Sequence, residues 1–208
     1  MPRLAPRTFA IAAVVVAGAA LAEGPRTSVA GGLRGPAEFA TLADPRARSA
    51  AIFQEAARVM LGPRCTNCHP DGDSPLQGDA GRVHDPPVVR GADDRGVPGL
   101  PCGSCHQDRN LELARVPGAP GWHLAPRAMA WVGRTPHDLC EQLKDRTRNG
   151  GRDLAAIVDH AARDPLVAWA WAPGHDRVPA PGSQQVFGAL MAAWVKDGAA
   201  CPGPEVGP

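Results

Sequence analysis

Two copies of one pattern, Cys65-Thr66-Asn67-Cys68-His69 and Cys102-Gly103-Ser104-Cys105-His106, lie 37 positions apart in a chain of 208 residues. C-x-x-C-H is the spacing of c-type haem attachment. Two thiols separated by two residues on a tight turn can each add across a different vinyl group of one porphyrin, while the adjacent imidazole reaches the iron. The pattern therefore predicts covalent haem at Cys65, Cys68, Cys102 and Cys105, with His69 and His106 as proximal iron ligands. Composition agrees. The chain has no Tyr, five Trp and four Phe, few aromatics with which to fill a core, and two flat apolar macrocycles supply the missing bulk. Its 24 Gly and 23 Pro are about twice the usual share, so neither long uninterrupted helices nor a broad regular sheet is expected to dominate.

Two other readings of the cysteines fit the sequence less well. Paired zinc knuckles need a shorter gap than the 33 residues between Cys68 and Cys102, and do not explain why both pairs end in His. A thioredoxin-like redox pair needs alternating strands and helices, for which the sequence has no pattern.

The N-terminus carries Arg3 and Arg7 and then an uncharged apolar run over residues 9–22. That run is shorter than the roughly 20 residues of a bilayer span, and Ala20-Leu21-Ala22 provides a small-x-small cleavage site. Residues 1–22 are thus expected to be a signal peptide that directs the chain to the periplasm, leaving no membrane span. An uncleaved anchor is the alternative. Without Arg3 and Arg7 the chain has 20 basic against 21 acidic residues, with none of the clustered basic excess of a nucleic-acid binder.

In that oxidising compartment the two remaining cysteines, Cys140 and Cys201, are expected to pair, closing a loop of about 60 residues worth roughly 2–4 kcal/mol. The alternative is a distal thiolate on one iron.

Residues 23–43 read as a loose arm, 44–201 as one dihaem domain and 202–208 as a tail. Asp44-Pro45 opens a helix, with Ile52, Ala56, Val59 and Met60 on one face, that Gly62-Pro63 ends just before Cys65. Residues 70–101 have Gly or Pro at nearly every third position and are expected to be an irregular loop. Thr135-Pro136 caps a second helix, and Asp153 a third with Leu154, Ile157, Val158 and Ala161 as its buried stripe. Residues 183–197 form the last, burying Phe187, Leu190, Met191 and Trp194. The fold class is mostly α.

Each iron needs a sixth ligand. His84, midway between the motifs, and His123, in an apolar setting stiffened by Pro126, are the first candidates, with His160 and Met129 in reserve. His137 and His175 read as surface residues, Met60 and Met191 as packing. Five spare His against one usable Met favours bis-histidine ligation and low potentials. Arg90, Arg95, Arg109 and Arg127 flank the motifs and could pair haem carboxylates.

Phrases such as FQEAARVMLGPRCTNCHP, HDPPVVRG, GVPGLPCGSCH, VPGAPGWHLAPRAMAW and LCEQLKDRTRNGG resemble a bacterial family of exported dihaem cytochrome c proteins. Some members of that family carry the name of subunits of isoquinoline 1-oxidoreductase, a molybdenum hydroxylase. The closing helix, FGALMAAWVKDGAACP, is similar to the last helix of class I cytochrome c domains. These resemblances imply class I cytochrome c-like helices around one haem, with a loop-rich insertion carrying the second. The implied activity is single-electron transfer to or from a redox partner, possible partners including a molybdenum hydroxylase-type dehydrogenase. The close spacing of the motifs is also similar to that in the dihaem small subunit of periplasmic nitrate reductase. The competing reading is a haem enzyme, peroxidase-like or acting on sulfur compounds, with an open sixth site at one iron.

Overall fold

The computed structural model describes residues 32–204; the expected signal peptide, residues 23–31 of the expected arm and the last four residues of the expected tail lie outside them. Helices dominate, and the strands are four dipeptides. α1 (Pro45–Met60) begins where Asp44 accepts hydrogen bonds from the Arg46 and Ala47 amides, with Pro45 at the first helical position. α2 (Pro63–Thr66) is one turn and runs into the first cysteine motif. α3 (Pro136–Lys144) is capped by Thr135, α4 (Leu154–Arg163) by Asp153, the short α5 (Pro165–Ala168) by Asp164, and α6 (Gln184–Lys196) by Ser183.

α6 is the hub, with α1 and α4 packed against it. Phe187, Leu190, Met191 and Trp194 are buried on α6, and meet Ile52, Phe53, Ala56, Val59 and Met60 from α1. On the other side α4 comes close enough that a Cβ at Gly188 would stand 2.6 Å from the Ala162 Cβ. That notch turns α4, so its buried positions are Ile157 and Ala161 while Leu154 and Val158 are only half-buried. The expected four-residue stripe is narrower than its periodicity suggested.

Polar groups fasten the same interface. Ser49 Oγ donates to the Trp194 carbonyl (2.9 Å) and accepts from the Ala200 amide (2.9 Å), while the Trp194 indole donates to the Ala200 carbonyl (3.0 Å). Arg48 grips both oxygens of Asp197 at 2.6 and 3.0 Å. Glu55, 3% exposed, accepts from the Arg34 amide and guanidinium and from Arg58. Burial pushes the Glu55 carboxyl up, but those hydrogen bonds outweigh it and leave it below its ordinary value. A carboxylate lowered in the folded state stabilises above its unfolded pKa and loses that contribution as pH falls through the folded one. Glu55→Gln is therefore expected to destabilise by about 1–3 kcal/mol at neutral pH, with the difference closing below about pH 4, as read by denaturant titration across pH.

Cys140 and Cys201 form a disulfide, with their Cα atoms 5.5 Å apart, which excludes either as a free haem ligand. It ties α3 to the segment after α6. The Cys140→Ala, Cys201→Ala double variant should unfold about 2–4 kcal/mol more easily, measured as a shift in guanidinium midpoint.

Residues 70–101 are more regular than expected. β1 (Leu76–Gln77) pairs antiparallel with β2 (Arg82–Val83), and β3 (Gly96–Val97) with β4 (Leu100–Pro101). Gly96 has φ +95°, and a Cβ there would meet the Leu100 carbonyl at 2.6 Å, so only glycine closes that hairpin. Arg90 pins the segment from inside, donating to Asp94, the Ala125 carbonyl and the Gly72 carbonyl.

Candidate metal centres

Both pentapeptides adopt one local conformation. The Cys68 amide reaches the Cys65 carbonyl at 3.0 Å and the His69 amide the same oxygen at 3.0 Å; the Cys105 and His106 amides reach the Cys102 carbonyl at 3.2 and 3.0 Å. A helical turn therefore presents each cysteine pair at i, i+3 with its histidine one residue on. All four thiols are free. Burial pushes Cys65 up to about 12 and Cys68 to about 11, so both rest as thiols.

The two histidines are held alike. His69 is stacked on Trp131 (ring centres 3.4 Å apart, 10° between planes), and its Nδ1 lies 2.8 Å from the Met129 carbonyl. His106 is stacked on Trp122 (4.6 Å, 10°), and its Nδ1 lies 2.7 Å from the Pro117 carbonyl. A carbonyl accepts only from N–H, so each Nδ1 carries the proton and each Nε2 keeps its lone pair. Burial lowers both imidazoles, His69 to about 3, which keeps them neutral and available as ligands. Histidines that bind metals have just this second hydrogen bond.

A cavity of 760 Å³ opens at the second motif, lined by Cys102, Cys105, His106 and His84. The His84 ring centre is 5.9 Å from that of His106, with 71° between planes, and its Nδ1 is 2.8 Å from the Pro86 carbonyl. Metal–imidazole bonds of about 2 Å on both sides of one ion, plus ~1 Å from each nitrogen to its ring centre, put two axial imidazoles about 6 Å apart.

A second cavity, 480 Å³, is lined by Cys65, Cys68 and His69 together with His123, His160, Met129, Met60 and Met191. Of the candidates for the sixth position, His160 stands on α4 with its Nδ1 2.9 Å from Asp164 Oδ2, whereas His123 is on a loop, its Nδ1 2.5 Å from the Gly121 carbonyl. The helix and the carboxylate make His160 the better-oriented donor. Met129 gives its own carbonyl to His69. Met60 and Met191, expected only to pack, also line this cavity. His137 bonds the Pro202 carbonyl and His175 bonds Asp176; neither lines a cavity.

The cavities are neighbours, sharing Arg64, Cys68, His123, Leu124 and Trp169. Trp169 meets Trp122 edge-on at 5.0 Å, so an aromatic path runs from the shared wall to His106. Among the four arginines singled out from sequence, Arg90 lines the second cavity and Arg95 the first, while Arg109 and Arg127 line neither.

Both sites are of the size that takes a cofactor, each with a cysteine pair, a lone-pair-bearing imidazole and an apolar wall. Among the described residues no three His, Cys, Asp or Glu side chains converge on one ion. A four-coordinate zinc site needs such convergence, whereas a porphyrin brings four nitrogens and asks the chain for axial ligands only. The residues fit a haem at each motif. Compared with protein families, with curated proteins and with solved structures, the chain matches none.

Proposed function

We propose that the chain is a dihaem c-type cytochrome, exported to the periplasm, that relays single electrons to or from a redox partner, such as a molybdenum hydroxylase-type dehydrogenase. The observation that carries this reading is the pair His84 and His106 beside Cys102 and Cys105, their ring centres as far apart as those of two imidazoles on one metal would be. The packing of α1 on α6, the arrangement that the class I resemblance implies, supports a cytochrome c-like frame with the second site in the loop-rich segment.

Bound at these positions, haem supplies a reversible one-electron iron couple. The chain does the rest. Cys65 and Cys68, and Cys102 and Cys105, fix each macrocycle; His69 and His106 present Nε2 from rings locked by Trp131 and Trp122. His84 would supply the second imidazole at the second site and His160 at the first, and two such ligands would leave neither iron open to substrate. The shared wall keeps the sites close enough for rapid exchange.

The test is the resting optical and EPR spectrum of the matured protein. Two low-spin, six-coordinate haems are expected. A high-spin haem that binds cyanide or peroxide would overturn the carrier reading in favour of a haem enzyme with an open site.

A further inference from the structure

Arg64 directly precedes Cys65, yet its side chain is 2% exposed. It lies in the wall between the two cavities, its guanidinium 5.8 Å over the Trp169 ring. Nη2 is 2.5 Å from Asp79 Oδ1, but Nε is fully buried and has no acceptor. Asp79, 43% exposed at the rim, engages Nη2 rather than Nε and also accepts from the Val178 amide. Arg90 repeats the arrangement: its side chain is 8% exposed, it lines the second cavity, and its Nε is likewise buried without an acceptor, Asp73 standing 3.6 Å away. Each guanidinium is paired with a carboxylate, but a buried Nε left without an acceptor costs about 1–3 kcal/mol, and a carboxylate held in the cavity would complete it.

The lining of the second cavity as a whole asks for the same thing. It holds five arginines against three aspartates, an excess of two positive charges facing a site whose proposed occupant carries two carboxylates. A porphyrin joined through Cys65 and Cys68 would carry its carboxylates on the edge away from those cysteines, and Arg64 directly precedes Cys65, so a group held in the second cavity would be the source of the carboxylate.

We propose that Arg64 and Arg90 are the carboxylate clamp of the second haem, and that Arg64, standing in both walls, also raises the reduction potential at the first. The inference rests on the dihaem reading above. A fixed cation favours the electron-rich reduced form, so its removal lowers the potential.

The experiment is a spectroelectrochemical titration of matured protein, with the second haem identified by the EPR signal that His84→Ala alters. Arg64→Gln should lower the second potential by at least tenfold in the reduction equilibrium, about 59 mV for one electron, and lower the first by less. Arg90→Gln should lower the second potential most, with a smaller fall at the first, since Arg90 also neutralises Asp94 in the first cavity's lining. Arg148→Gln, at an exposed residue paired with Asp145 and lining neither cavity, should move neither. Arg64→Lys keeps the charge but loses the fork, so it carries the test should Arg64→Gln not accumulate: the first potential stays and the second falls. Two haems per chain with an unmoved second potential in the Arg64 variants would overturn the clamp while leaving the dihaem reading intact. Wild-type protein without two haems would overturn the dihaem reading itself.

Discussion

His84→Ala is expected to convert one of the two haems from low spin to high spin and leave the other unchanged. The His84 and His106 ring centres lie 5.9 Å apart in the lining of the second cavity, and the Pro86 carbonyl fixes the His84 tautomer so that Nε2 keeps its lone pair. Nothing else on that side replaces it. Of the other histidines lining this cavity, His106 belongs to the attachment motif and His123 stands in the wall shared with the first cavity. Half of the haem absorption should therefore shift to a high-spin spectrum, cyanide should bind one haem per chain, and added imidazole should restore the low-spin form. His160→Ala should do the same at the other haem. If His84→Ala leaves both haems low spin, His84 is not the sixth ligand.

Trp194→Ala is expected to destabilise the protein by about 3–5 kcal/mol. The ring is fully buried, lies 4.9 Å from Phe53, and its N–H is the partner of the Ala200 carbonyl. Truncation thus opens a large void between α1 and α6 and strands a carbonyl near the disulfide. Trp194→Phe, which keeps most of the volume, should lose less. Both effects are read from guanidinium unfolding of matured protein, with haem content as a control, since Trp194 lines neither cavity.

These two residues were legible in the sequence for different reasons. Trp194 falls on the apolar face of a periodic segment, and the Thr135, Asp153 and Asp44 caps of the other helices are local signals that need no tertiary information. His84 stood out through its place between two motifs. His160 ranked lower because its value depends on which way α4 faces, and that is set by the close approach of Ala162 to Gly188. The hairpins within residues 70–101 escaped notice because two-residue strands have no periodicity to detect. Arg64 was missed altogether: an arginine beside a cysteine reads as a surface charge, and only the packed structure reveals its burial and its orphaned Nε. The stacks of Trp131 on His69 and of Trp122 on His106 join residues distant in sequence, and no local rule announces them.

The most direct test of the account is the intact mass of the protein purified from a host able to mature c-type cytochromes. The account predicts a polypeptide heavier by two covalently held haems, whose red colour stays with the protein after acid-acetone extraction. A mass equal to the bare polypeptide, or raised by a single haem, would contradict it.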